Sequence, residues 1–261
     1  MKPSSEPTFG LDSGSEPWIA RLPGLGSVTV DEHGRVSVTA EPSDDEPIER
    51  RERALALGWG EPLSFARRGY FHTIGAGLAP PNSQQCFIFT GDMQDVSRLL
   101  WVFAKRNWLL LADRLTPLTI VDGVVWAHPR TAPPLMREKD AKRSGLPYLP
   151  ARTDTDAMAV EWQRPSESCR VRGLVNVRAL HPGQDQITAL TGHDRFQMSA
   201  SLLMGGALWP TQVMPEAATM SDRVHLDLAI ASLPSIRLRT NRSDIESDVS
   251  AIEAWWAEVA T

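Results

Sequence analysis

An α/β fold is what this sequence predicts, and three observations predict it. A strand-like run, Cys86-Phe87-Ile88-Phe89-Thr90, is followed by an amphipathic stretch from Asp95 to Lys105 and then by a short apolar run from Trp108 to Ala112. Asp122-Gly123 stands between two β-branched runs, and a two-residue turn of that composition closes a hairpin because both residues must take positive φ. Near the end, Ser243 with Glu246 makes a capping box, and Ile245, Val249, Ile252, Trp256 and Val259 recur on one helical face.

Composition narrows the class. With 261 residues, 42% hydrophobic and 23% charged, the chain can build one large core or a main domain with a small appendage. A net charge of -5 gives no general attraction to polyanions, so nucleic acid is not an expected partner. The two cysteines, Cys86 in an apolar strand and Cys169 in a polar stretch, offer neither a disulfide framework nor a CxxC metal site and suit a reducing compartment. Residues 1–7 lack the apolar centre of a signal peptide. Lys105, Arg106 and Asn107 interrupt the longest candidate for a membrane span. A cytoplasmic protein without a membrane segment is expected.

Residues 1–16, rich in Ser, Pro, Glu and Gly, are expected to be a disordered tail. Residues 17–52 read as an N-terminal β-hairpin and linker. Ser27 to Val30 and Arg35 to Thr39 alternate in period two around Asp31-Glu32-His33-Gly34, and the charged segment from Glu41 to Glu52 is a solvated connection. Residues 53–261 read as one α/β domain that opens with a short helix near Arg53 to Leu57. Tyr70 to Leu78 and Gln85 to Thr90 are strands joined by the turn-rich Ala79-Pro80-Pro81-Asn82-Ser83.

The helix after them carries Val96, Leu99, Leu100, Val102 and Phe103 at spacings of three and four, an apolar stripe that packs on a sheet. With Trp108 to Ala112 it completes a βαβ unit. The Asp122-Gly123 hairpin follows, then a long insertion over 129–156, and then strands at Ala157 to Trp162 and Val171 to Leu180. Helices from Asp194 to Leu208 and from Ser221 to Leu233 bracket a loop containing Met and Pro. The capped helix closes the chain.

Between the strand ending at Thr90 and its helix lies Gly91-Asp92-Met93-Gln94-Asp95-Val96-Ser97-Arg98. A phosphate-binding loop at this place needs glycines whose backbone N–H groups point inward, a Lys for the outer phosphates, and a Ser or Thr hydroxyl for Mg²⁺. The place is right and the composition is not.

The series Phe71-His72-Thr73, strand 85–90, Gly91-Asp92, helix, Leu110-Leu111-Ala112-Asp113-Arg114-Leu115-Thr116-Pro117-Leu118, then His128-Pro129 resembles HPr kinase/phosphorylase. It is still more similar to the shorter HPr-kinase-like serine kinases of modified-peptide gene clusters. The resemblance covers residues 60 to 130 as short motifs. It implies a mixed β-sheet flanked by helices, with a P-loop core like the HPr kinase C-terminal domain and PEP carboxykinase, an N-terminal hairpin and C-terminal helices.

In that family a Leu/Met-His-Ala/Gly element precedes the loop strand, the loop reads G-(D/P)-S-G-x-G-K-S, and a later strand ends in Asp-Asp followed by Pro. Carried over, Gly91 and Asp92 match the start of the loop, and Gln94 and Val96 stand where glycines belong. Ser97 takes the place of the phosphate-binding Lys, and Arg98 that of the Mg²⁺-ligating Ser. Asp113 matches the first Asp, the family's base for the substrate serine, while Arg114 replaces the second, associated with metal. His72 matches the histidine beside the active site. The later Glu-x-Arg-Gly element has its nearest counterpart in Arg170-Val171-Arg172-Gly173, with Arg at the acidic position.

A β-branched Val96 resists the left-handed backbone of a phosphate cradle, and phosphoryl transfer rests on positioning and charge stabilisation by Lys and Mg²⁺. ATP and Mg²⁺ are therefore expected not to bind, and no catalytic residue is assigned beyond the remnants His72 and Asp113. Arg98 and Arg114 are the anion-binding candidates: they either converge on a phosphate, carboxylate or acidic peptide, or project to solvent and to a surface carboxylate.

His33, His72, His128, His181, His193 and His225 show no HExxH or paired spacing, so no metal site is expected. No G-x-S-x-G elbow occurs; Gly10-Leu11-Asp12-Ser13-Gly14 falls in the expected tail. Trp255 and Trp256 are adjacent, and with successive side chains turned apart on a helix one of them is a candidate contact for a partner. Met198, Met204, Met214 and Met220 suit core filling or a plastic binding surface.

The expected function is that of a catalytically degenerate HPr-kinase-like protein, a pseudokinase binding a peptide or protein as an accessory factor in modified-peptide biosynthesis, with a homo-oligomer as an option. The alternatives are an enzyme of altered chemistry using His72 and Asp113 with Arg98 and Arg114 on an anionic substrate, and an ATP-dependent serine kinase with a non-standard phosphate loop.

Overall fold

The computed structural model describes residues 8–10, 17–151, 157–181, 184–204, 220–240 and 243–259. They fall into two compact units that divide between Phe71 and His72.

The first unit is built on an antiparallel meander of β1 (Thr8–Gly10), β2 (Trp18–Leu22), β3 (Gly26–Val30) and β4 (Val36–Ala40). The expected hairpin is β3–β4, with Val30 opposite Val36. Its turn is held by Asp31, whose Oδ1 accepts from the N–H groups of His33 at 2.9 Å and Arg35 at 2.8 Å. Part of the expected tail is structured, since Phe9 of β1 pairs with Ala20 of β2. Three residues are too few for periodicity to show, and the neighbouring strand supplies the backbone partners. The other residues of 1–16 lie outside the described residues.

The helix expected near Arg53 opens earlier, as α1 (Ile48–Leu55), and runs through a π-helical turn, Ala56–Gly60, into α2 (Glu61–Arg67). Gly60 lets this helix lie on the meander, because a Cβ there would collide with Val36 Cγ1. Ser64 Oγ donates to Gly34 O at 2.5 Å, and the buried Arg67 stacks its guanidinium 5.0 Å from the ring centre of the buried Trp18. These helices thus belong to the first unit and not to the α/β unit they were expected to open.

In the second unit, a mixed sheet has the order β5-β9-β10-β14-β7-β6-β8. The run expected as one strand from Tyr70 to Leu78 is broken at Gly75 into β5 (Phe71–Ile74) and β6 (Ala76–Ala79). Gly75 N donates to Arg114 O at 2.7 Å, and a Cβ there would stand 2.6 Å from Phe89 O. β7 (Gln85–Gly91), α3 (Met93–Lys105) and β8 (Leu109–Ala112) form the expected crossover. β6 is antiparallel to both β7 and β8, so those two run parallel with β6 between them.

β9 (Leu115–Val121) and β10 (Val124–Ala127) meet at Asp122 and Gly123, with φ of 51° and 75°, as the Asp-Gly turn requires. The stretch 129–156 is not one long loop. It contains β11 (Leu135–Arg137), α4 (Glu138–Ser144) and β12 (Tyr148–Pro150), which join β13 (Ala157–Val160) in a small sheet of order β11-β13-β12. Met136, Ala141, Met158 and Val160 from this layer are buried in the main core.

The long β14 (Cys169–Ala179) runs parallel to β7 along one side. Along the other it pairs first with β10 and then, in parallel, with β16 (Ser235–Thr240). β15 (Ile187–Ala189) completes that branch. Neither β15 nor β16 was expected, because each is short and β16 alternates apolar residues with arginine. Cys86 and Cys169 are free and buried. Burial pushes the Cys86 thiol well above its ordinary value and the Cys169 thiol up to about 11, so neither is a ready nucleophile.

α5 (Gly192–Met204) and α6 (Met220–Ser232) stand where two helices were expected. The Met- and Pro-containing loop between them, with Met214, lies outside the described residues. α7 (Ile245–Val259) closes the unit. Phe87, Phe89, Val175, Val177, Ile236 and Leu238 form one buried face of the sheet with Val96, Leu99 and Phe103 of α3 and Val249 and Ile252 of α7. Trp255 stacks on Phe87 at 4.8 Å, and Trp256 meets the same ring edge-on at 4.6 Å. Although successive side chains turn apart on a helix, both indoles reach Phe87, because their rings are large enough to meet it from two sides. Among the described residues, no helix is long and apolar enough to cross a membrane.

Candidate functional site

Open α/β sheets bind ligands beyond the carboxyl ends of their parallel strands. Here β7, β14 and β16 are parallel, and their ends bring together Gly91-Asp92, Arg178-Ala179 and Arg239-Thr240. α3 begins at the same place.

The residues 91–98, expected as a loop between strand and helix, are almost wholly strand end and helix. Gly91 is the last residue of β7, Asp92 is the N-cap, and Met93 opens α3. Gly91 has φ of 105°, and a Cβ on it would collide with Val177 O, so glycine serves the strand contact there. Asp92 Oδ1 accepts from Gln94 N at 2.9 Å and from Asp95 N at 3.4 Å. Those N–H groups are the ones a helix start offers to an anion, and the chain's own carboxylate takes them.

Gln94 is exposed, Val96 is wholly buried in the core and Ser97 is partly buried. Asp95, with no exposed surface, accepts a 2.7 Å bond from Arg98 Nη1. At this junction stand the carboxylate of Asp92 and the backbone donors it already engages, with no lysine anywhere in 91–98. Among the described residues, no group of three or more His, Cys, Asp or Glu side chains could hold a metal ion.

Asp113 and Arg114 form the bend between β8 and β9. Asp113 Oδ2 accepts from Leu135 N at 3.1 Å, so the carboxylate ties the start of β11 to the bend. Arg114 is largely exposed and stands 4.0 Å from the same carboxylate. Arg98 faces Asp95, one helical turn before it, and Arg114 faces the adjacent Asp113.

His72 lies on β5 with its Nε2 shielded from solvent. Burial, aided by the charge of the buried Arg130, pushes its pKa down to about 3. The ring is neutral across the physiological range and a weak base within it. His128 Nε2 and Thr119 Oγ1 are 2.8 Å apart, a tie across the β9–β10 pair. Arg170 to Gly173 is a bulge: the β7–β14 register shifts between Val171 and Gly173, and a Cβ on Gly173 would crowd Trp255 and Phe87 at 2.8 and 2.9 Å. Arg172 Nη2 reaches Val259 O at 2.7 Å at the end of α7.

On the face of the sheet opposite α3 and α7, an arginine row went unnoticed in the sequence. Arg178 is in register with Arg239, and Asn176 with Thr90 and Arg237, so these side chains stand on one face across three strands. Alternation of Arg237 and Arg239 with the buried Ile236 and Leu238 was the available signal. It is the period of a half-buried strand.

No family model matches the chain, and no curated protein matches it. Among solved structures, it is similar to the HPr(Ser) kinase/phosphatase from Coxiella burnetii, with 8% identity, 72% of this chain and 97% of that chain covered, and a TM-score of 0.33. The likeness is distant, and no residue role is carried across it.

Proposed function

We propose that this protein is an HPr-kinase-like scaffold without phosphotransfer activity, a pseudokinase that binds a peptide or protein as an accessory factor. The sequence resemblance to serine kinases of modified-peptide gene clusters makes modified-peptide biosynthesis its setting. One observation carries the reading: Asp92 caps α3 with the two donors that a phosphate would need. Phosphoryl transfer depends on anchoring and neutralising the phosphates, and a fixed carboxylate at the anchor opposes both. The pairing of Arg98 with Asp95 weighs the same way.

Calorimetric titration with Mg-ATP tests this. No saturable heat is expected, and micromolar binding would refute the proposal. A reading in which His72 and Asp113 act as base and acid has less support, because His72, with its pKa pushed down to about 3, is a weak base, and Asp113 is tied to Leu135 N.

A further inference from the structure

Arg178 of β14 and Arg239 of β16 are direct partners in a parallel register, with Arg237 two residues before Arg239. Like charges directly opposite one another on neighbouring strands destabilise a sheet. The fold relieves little of this. Arg237 Nη2 is 3.7 Å from Asp194 Oδ2. Arg178 Nε donates to the neutral Asn176 Oδ1 at 3.2 Å, and Arg239 Nη1 donates to Asp185 O and Thr188 Oγ1, each at 3.0 Å. Among the described residues, neither Arg178 nor Arg239 has a carboxylate partner. Arg178 is exposed, and Arg237 and Arg239 are partly so.

We infer that this row docks an acidic peptide segment in extended conformation, with carboxylates at alternate positions. Guanidinium groups bind carboxylates through paired, charge-assisted hydrogen bonds. Arg237 and Arg239 lie about 6.6 Å apart along their strand, and Arg178 about 4.8 Å across from Arg239. An extended peptide carries the side chains of alternate residues on one face at the same spacing of about 6.6 Å. The net charge of -5 repels long polyanions beyond the patch, so a short acidic segment suits it and a nucleic acid does not.

The inference gives a surface and a partner chemistry to the binding role proposed above, and rests on that reading. The test is fluorescence anisotropy of a labelled peptide of alternating glutamate and serine, titrated with the full chain at physiological ionic strength. Micromolar binding is expected, weakened about tenfold or more by Arg178→Gln with Arg239→Gln and less than about twofold by Arg143→Gln elsewhere on the surface. Arg178→Gln alone, at an exposed position, repeats the measurement with least risk to folding and should keep or raise the melting temperature, since it removes one of two opposed charges.

Absence of saturable binding, equal weakening by Arg143→Gln, or tighter binding of a single-stranded oligonucleotide of equal charge would overturn the inference. Mg-ATP calorimetry on the same sample reads the other proposal independently. Nucleotide binding with intact peptide binding would remove the pseudokinase and leave the arginine row standing.

Discussion

Asp92 satisfies two backbone donors of α3, and such caps are worth about 1 kcal/mol. Asp92→Ala should therefore lower stability by about 0.5–2 kcal/mol in urea unfolding, while Asp92→Asn, which keeps an acceptor, should lose less. Equal losses would show that charge and not capping matters there. The cap was legible in principle, since an Asp immediately before an apolar-periodic run is a helix start signal; reading the segment as a loop hid it. The role of Val96 was only half legible. Its unsuitability for a phosphate cradle follows from β-branching, but its complete burial on the inner side of α3 needs the opposing sheet. Nothing in the sequence places Leu135 N against Asp113, because that contact joins segments twenty-two residues apart across the β9–β10 hairpin.

At the scale of elements, α7 is locked to the sheet by aromatic contact and to α3 by a polar clamp. Phe87 lies between Trp255 and Trp256. Glu253 accepts from Arg106 Nη1 and, at 3.2 Å, from Trp108 Nε1. Phe87→Ala removes the ring on which both indoles rest and leaves a cavity in the wholly buried core. Such truncations cost about 3–5 kcal/mol, and the midpoint of denaturant unfolding should fall accordingly. A cost below about 1 kcal/mol would mean that the tryptophans close over the gap. The apolar stripes of α3 and α7 were readable from spacing alone. The short strands β11, β12, β15 and β16 were not, because three to six residues carry too little period to distinguish a strand from a loop, and their pairing comes from strands distant in the sequence.

For the whole molecule, a partly buried histidine with its Nε2 shielded from solvent makes stability depend on pH. His72 has a folded pKa of about 3 against an ordinary value of 6.5, so below 6.5 the unfolded chain takes up a proton that the folded chain refuses. Its contribution is intact above about pH 6.5 and is lost as pH falls towards 3, at up to about 1.4 kcal/mol per pH unit. Urea unfolding at a series of pH values should show this slope, and His72→Gln should flatten it; a variant with the parent's slope would contradict the burial of the ring. By itself, the sequence determined the α/β class, the β7–α3–β8 order, the Asp122-Gly123 hairpin and the terminal helix, because period and turn chemistry are local properties of the chain; the cap of that helix was placed one residue early, since Asp244 Oδ1 accepts from Ser247 N at 3.2 Å. Tertiary structure alone decided that β6 enters between β7 and β8, that α1 and α2 join the meander, and that Arg178, Arg237 and Arg239 share one face. Each of these depends on pairing or packing between separate segments, whose geometry no local pattern encodes.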